Sequence, residues 1–505
     1  MPSEQNRSRT DRWVWMPVLV LLVVLATLLM WFPLLRATMP VEIAYNEGWN
    51  TYWQDAAAAG QRLYGTPPGP TIENYPPLSF HLIGLLGRII GDTNVAGRAV
   101  ALLSLGLVCG LAGRIATQVS GSRFAGWYAG LCLLVWFGAF APDRIAMNDP
   151  QLLGMVPELL GFFIYARWSQ SVVALCLSAV LFALAVFTKQ NLIACPIAVG
   201  VDMLLARHWK GLCIWVAVGL ATAGLLLAAA VGVDGGFFLD HLLRSRAADY
   251  AHGWGTDIGY VVLFAPAVVL CACWVTGVMG TNRSRLLAIG WIVASGCGMA
   301  FAFGHGVATN ILFEAMVFSA IIVPIGYWDL LGGVAPWRPA VCASLLILSA
   351  AWIPALVPSM LVDGFHKRWD LPHMTKAFES AADLMRARSG PGWCEDLLLC
   401  HAAGKPMVYD AYFVQDQIET GRLAPCSVLR QLALQGPTTI EIGAPPDRNP
   451  PSPKARLRFT ARFMRTLLTY YSPVLQTPDF TILEPSLGPW RDNDACRPVT
   501  AVSGR

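Results

Sequence analysis

The sequence predicts a mainly α protein, a polytopic bundle of about 11 transmembrane helices followed by a small C-terminal α/β domain. Three observations point that way. Hydrophobic residues make up 55% of the 505-residue chain and charged residues 13%, against roughly 25% charged in a soluble domain. Apolar runs recur from Trp15 to Val362, many approaching the roughly 20 residues that carry a helix across a bilayer. From Asp363 onward the chain turns rich in Pro and charge, with no run of that length. These changes divide it into an N-terminal tail (1–14), a membrane part (15–362) and a C-terminal domain (363–505).

The first element is the run Trp15–Leu35, preceded by Arg7, Arg9 and Arg12. It is too long for a signal-peptide core and reads as an uncleaved signal-anchor with its N-terminus in the cytoplasm. Further crossings are expected near Gly97–Val119, Phe124–Ala141, Leu152–Trp168, Val172–Phe187 and Leu192–Ala206. Later ones fall near Leu212–Val233, Ile258–Met279, Leu286–Phe303, Ala308–Leu331 and Ala340–Val362. One pair is open to a re-entrant reading.

Charge placement sets the expected orientation. With the N-terminus inside, every short inner loop is basic: Arg123, Arg167, Arg207–Lys210, Arg283 with Arg285, and Arg338. The outer loops then hold most of the membrane-proximal carboxylates, and the C-terminal domain is periplasmic. In the first outer loop, Thr51–Leu63 and Leu78–Ile90 read as amphipathic helices lying along the interface.

In the C-terminal domain, Met407–Tyr409, Thr439–Ile442 and Phe480–Leu483 read as strands. Thr375–Arg388 and Phe459–Tyr470 read as helices. Nine of the 13 cysteines lie in the membrane part and four outside it. An even number in an oxidising compartment favours disulfides. The expected pairs, among the possible connectivities, are Cys394–Cys400 and Cys426–Cys496. CxxC spacing for zinc is absent.

Charges beside a bilayer need partners or a task, so the outer loops are where chemistry is expected. The first carries Glu42, Glu47, Asp55 and Glu73. Asp149 precedes Pro150, where an acid suits a helix N-terminus; orienting an acceptor or holding a cation is the functional alternative. Arg144 is placed to pair with Asp143 or Asp149, or to face an anion. Lys189 has no acid near it in sequence, so it either snorkels to lipid headgroups or binds a phosphate. Arg244, Arg246 and His252 are further phosphate candidates on the loop after Asp234. His305, Asn310 and Glu314 form the last group; Asn310 and Glu314, four apart, would share one helix face. The net charge of +4, with no dense basic tract, speaks against nucleic acid. P-loop, G-x-G-x-x-G and HExxH motifs are absent.

The motifs occur in an order that carries a resemblance. The first helix is followed by N-E-G at Asn46–Gly48 and Y-P-P-L at Tyr75–Leu78, then G-R at Gly97–Arg98. R-x-x-x-N-D-P follows at Arg144–Pro150, F-T-K-Q-N at Phe187–Asn191, N-I-L-F-E at Asn310–Glu314 and K-P-M-V-Y-D-A-Y-F at Lys405–Phe413. In this the chain resembles the GT-C superfamily of membrane glycosyltransferases. It is most similar to the bacterial branch related to protein O-mannosyltransferases and lipid A aminoarabinose transferases.

The resemblance implies transfer of a sugar, with inversion, from a polyprenyl-phosphate carrier to an acceptor on the periplasmic face of the bacterial inner membrane. The acceptor class stays open between a cell-envelope glycan, a lipid and a protein. Such a reaction needs a base for the acceptor hydroxyl and cations where the phosphate gains charge. Glu47 is the expected base. Asn46 stands where the family usually shows the first acid of an Asp-Glu pair, so Glu42 and Asp149 remain alternatives. Lys189, Arg144, Arg244, Arg246 and His252 are the expected phosphate contacts; Asn46, Tyr75, His305, Asn310 and Glu314 are expected to line the cavity. No cofactor is expected, and a divalent cation has no motif behind it. The alternatives are a multi-pass transporter or lipid flippase, and a non-catalytic envelope assembly subunit.

Overall fold

The computed structural model describes residues 4–66, 71–243, 248–278, 284–331, 338–356, 358–419, 421–443, 467–478 and 480–486. The chain begins with α1 (Glu4–Ala37), α2 (Asn46–Ala58), α3 (Leu78–Ile90), α4 (Thr93–Ser120) and α5 (Arg123–Phe140). After a 3-10 turn at Pro142–Arg144 come α6 (Pro150–Trp168), α7 (Val172–Thr188), α8 (Ala194–Leu205) and α9 (Trp209–Asp234). Next are α10 (Phe238–Leu242), α11 (Tyr250–Leu263), α12 (Ala265–Val278) and α13 (Arg285–Ala302). A second 3-10 turn, Thr309–Leu312, leads into α14 (Phe313–Leu331), then α15 (Arg338–Leu356) and α16 (Ser359–Arg386). The C-terminal region follows as β1 (Gly392–Cys394), α17 (Leu397–Ala402), α18 (Ala411–Glu419), α19 (Pro425–Gln435), β2 (Thr439–Ile442), β3 (Tyr471–Gln476) and β4 (Thr481–Pro485).

Every apolar segment expected to cross the membrane falls on a helix. Among the described residues six helices alone have the length and hydropathy for a span, or seven if α11 and α12 count as one broken span. Helix α6 falls short of that hydropathy because Gln151, Pro157, Glu158 and Arg167 interrupt it. Local chemistry sets several boundaries. Asp92, Ser122 and Ser171 each accept a bond from the backbone N–H three residues on, capping α4, α5 and α7. Gly91 and Gly121 close α3 and α4 in the left-handed conformation (φ 90° and 71°).

Some expected boundaries move. The segment expected at Ile258–Met279 begins at Tyr250 and bends by 83° between α11 and α12. Pro266, at the second position of α12, has no N–H to continue the ladder. Within the segment expected at Ala340–Val362, α15 ends at Leu356 and α16 begins at Ser359. Between the first two expected crossings, Leu78–Ile90 is helical as expected, whereas the Thr51–Leu63 helix runs instead from Asn46 to Ala58.

Contacts divide the chain into two compact units. The first comprises Met1–Thr38, Tyr75–Gly235 and Ala248–Arg368; the second comprises Met39–Asn74, Gly236–Ala247 and Trp369–Arg505. The first unit is helical, with a continuous apolar core in which Trp136, Phe162, Trp274 and Phe318 are fully buried. The second holds a four-stranded sheet in the order β1-β2-β4-β3, with β1 parallel to β2 and the other neighbours antiparallel. Edge strand β3 carries Pro473 beside a bulge, a position where a missing N–H is tolerated.

The expected strand at Met407–Tyr409 does not form. Tyr409 is buried instead by its ring against Trp393, centroids 3.7 Å apart, while the three-residue β1 takes the place beside β2. Of the expected helix at Phe459–Tyr470 only residues 467–470 are described, and they are helical. Cys394 and Cys400 form a disulfide. Cys426–Cys496 lies outside what the structure describes, since Cys496 falls beyond it.

Candidate active site

Helix α6 organises the polar centre of the first unit. Asp149 caps it, its Oδ1 accepting the Gln151 N–H at 2.8 Å, with Pro150 in the first helical position, where its missing N–H costs nothing. The same oxygen lies 2.8 Å from Lys189 Nζ, and the two side chains are only 7% and 6% exposed. Lys189 follows the last residue of α7, in extended conformation, and its ammonium sits 4.7 Å above the Tyr75 ring centroid. An ammonium buried this deeply is tolerable only with such partners. Burial opposes ionisation of Asp149, but the charges of Lys189 and Arg144 outweigh it and hold the carboxyl below the usual range.

Lys189 therefore has an acid beside it in space, although none lies near it in sequence. Arg144 ends the 3-10 turn, and its Nη1 donates to Met147 Sδ at 3.4 Å. Asp143, one of the partners open to Arg144, is paired instead with Arg36 at 3.0 Å.

Two of the sequence motifs interlock here. A Cβ at Gly97 would stand 2.1 Å from the Asn148 carboxamide, so only glycine lets α4 pass the N-D-P turn this closely. The neighbouring Arg98 is buried and donates to the Ala37 carbonyl at 3.3 Å.

Deeper along α6, Glu158 meets Glu314 of α14 at the start of α8. Glu158 Oε1 accepts the Cys195 N–H at 3.3 Å, and Glu314 Oε1 accepts the Ala194 N–H at 3.1 Å. Both carboxylates are buried, at 0% and 4% exposure, and both meet the positive end of α8. Two carboxylates so placed repel each other in a water-poor interior unless a proton or a cation lies between them. Glu158, Cys195 and Glu314 each offer a ligand atom within 4.8 Å of the others, a donor set that suits a zinc-like divalent cation. Sequence reading picked out Glu314 and missed Glu158 and Cys195. The available signal was an ionisable residue in the middle of an apolar helix.

Of the other expected residues, Asn310, His252 and His305 belong to this unit. Asn310 is buried in the second 3-10 turn, so the turn's change to α14 falls between it and Glu314 and breaks the expected shared face. His252 Nε2 donates to the Val307 carbonyl at 2.8 Å. His305 lies half-buried in the turn after α13. Arg244 and Arg246 lie outside the described residues.

The second unit carries the expected base. Glu47 is in the first turn of α2, fully buried, and its Oε2 accepts the Ile43 N–H at 2.6 Å. Asn46 opens the helix and Glu42 is half-buried in the turn before it. Gly48 is required by packing: a Cβ there would lie 2.1 Å from Leu398 N in α17. Glu73, which sequence reading did not single out as a site residue, is fully buried. His241 lies against its backbone, with Nδ1 3.1 Å from the Glu73 carbonyl and Nε2 2.8 Å from that of Gly65.

Comparison with solved structures bears on the fold. ArnT from Cupriavidus metallidurans, crystallised with undecaprenyl phosphate, matches 92% of this chain and 97% of its own, with a TM-score of 0.58 at 14% identity. The chain shares the ArnT fold. AglB, the archaeal oligosaccharyltransferase from Archaeoglobus fulgidus in complex with an inhibitory peptide and a dolichol-phosphate, also matches. It covers 85% of this chain and 69% of its own, with a TM-score of 0.51 at 10% identity. No protein-family model and no curated protein sequence matches the chain. The fold is thus the one the motif order led to.

Proposed function

We propose that the protein is an inverting glycosyltransferase that moves a sugar from a polyprenyl-phosphate carrier to a cell-envelope acceptor at the periplasmic face of the bacterial inner membrane. In this reading residues 15–362 lie in the membrane, the N-terminal tail is cytoplasmic and residues 363–505 form a periplasmic domain. The observation that carries it is the shared fold with ArnT over nearly the full length of both chains, whose structure holds a polyprenyl phosphate. The Lys189–Asp149 pair supplies the chemistry this donor needs. As the carrier phosphate leaves, it gains negative charge, and an ammonium already oriented and desolvated meets that charge without reorganisation. Asp149 and the Tyr75 ring hold the ammonium in place. Arg144 adds a second positive charge close to Asp149. Glu47 takes the acceptor hydroxyl's proton as the hydroxyl attacks the anomeric carbon, its second oxygen anchored by the Ile43 N–H.

The test is binding of polyprenyl phosphate, counted by native mass spectrometry on protein in lipid nanodiscs. Wild type should take up one such lipid per chain. Lys189→Ala should weaken uptake by about ten- to a hundredfold, the loss of a hydrogen bond to a charged group. No uptake by wild type would contradict the reading, and equal uptake by the variant would remove Lys189 from the phosphate site.

A further inference from the structure

The Lys189 ammonium stands at the start of a short irregular segment, 189–193, that joins α7 to α8. One face of α6 grips this segment along its length. Asp149 holds the Lys189 ammonium at 2.8 Å. Gln151 Oε1 accepts from Asn191 Nδ2 at 3.3 Å. Gly154 leaves room for Leu192, whose Cδ1 would stand 2.4 Å from a Cβ there. Glu158 takes the Cys195 N–H on the far side, while Glu314 reaches in from α14 to the adjacent Ala194 N–H. Positions 151, 154 and 158 follow the three-and-four spacing of a single helix face.

A carboxylate buried in a membrane protein is costly to keep, and these two spend an oxygen each on the first two N–H groups of α8. Those N–H groups have no partner within their own helix. Fixing them fixes the C-terminal end of the segment, just as Asp149 and the Lys189 N–H bond to the Ala185 carbonyl fix its start. Five residues tied at both ends leave the ammonium little freedom.

We infer that Glu158 and Glu314 are positioning residues that, through the N-terminus of α8, hold the Lys189 segment and so aim its ammonium at a lipid-linked phosphate. The aim at a phosphate rests on the function proposed above; the grip on the segment does not. Neither glutamate touches the donor. Each acts through the backbone it binds.

The experiment reads Lys189 directly. Full-length protein in nanodiscs is treated briefly with an amine-acylating reagent, and labelling of each lysine is followed by peptide mass spectrometry. Lys405 serves as internal control: it is buried in the second unit, its ammonium donating to the Arg388 and Gly390 carbonyls. Glu158→Ala and Glu314→Ala should raise Lys189 labelling about tenfold, the loss of one buried hydrogen bond, with Lys405 unchanged. Glu158→Gln, whose amide oxygen still accepts the Cys195 N–H, should stay near wild type.

Lys189 protection that survives both alanine variants would overturn the inference. So would Lys189 and Lys405 rising together, because that is general loosening. Polyprenyl phosphate binding is measured on the same samples. If no sample binds it, wild type included, the proposed function fails while the labelling still decides the positioning role.

Discussion

Single residues show how partners far apart in sequence are recruited. Lys189 and Asp149 are 40 positions apart, so the sequence marked both as unusual charges without pairing them; only the packing of α6 against α7 does that. The same holds for His81 of α3, whose Nε2 lies 2.8 Å from Asp234 Oδ1 at the end of α9. The hydrogen bond to the Asp234 carboxylate raises the imidazole's pKa above its ordinary value, against the opposing effect of burial. A raised folded-state pKa means the stabilisation is fully present below the unfolded value of about 6.5 and is lost as pH rises through the folded one. The gap in melting temperature between wild type and His81→Gln should therefore be widest below about pH 6.5 and narrow toward alkaline pH. A gap constant from about pH 6 to about pH 9 would show that the pair adds no pH-dependent stability.

Elements were legible where hydropathy ran long and were misplaced where a proline or a brief strand decided the outcome. The apolar segments fall on helices because apolar length alone specifies a span. The break at Pro266 and the end of α15 at Leu356 lie inside apolar sequence, where hydropathy has no contrast to offer. Strand β1 has three residues, too few for any alternation to register. Glycines explain two motifs that sequence reading could only recognise as patterns: Gly97 makes room for Asn148, and Gly48 for the backbone of α17. At an open helical site Gly→Ala stabilises by about 0.4–1 kcal/mol. Gly48→Ala should have the opposite sign, costing about 1–3 kcal/mol, because the clash is with backbone that cannot rotate away. Thermal unfolding of the purified variant checks this, and a raised melting temperature would mean that α2 and α17 are not packed as closely as described.

For the molecule as a whole, the order of weak motifs carried more information than any one of them. Asn46–Gly48, Tyr75–Leu78, Gly97–Arg98, Arg144–Pro150 and Phe187–Asn191 are each short, yet their sequence along the chain led to the fold that the match to ArnT shows. The candidate site was legible only in part. Exposed or loop-borne charges could be picked out by type, whereas Glu158 and Cys195 sit in apolar helices and acquire meaning only when α6, α8 and α14 meet.

The central claim is chemical and calls for a transfer assay. Purified wild type and Glu47→Gln, each in nanodiscs, would be given polyprenyl-phosphate sugars and a membrane acceptor extract, with release of free polyprenyl phosphate as the readout. Wild type should release it, and the variant should lose about 10²- to 10⁴-fold, the usual contribution of a general base. Equal release by both would contradict Glu47 as the base, and no release by wild type from any donor in the panel, with acceptor present, would contradict the transferase itself.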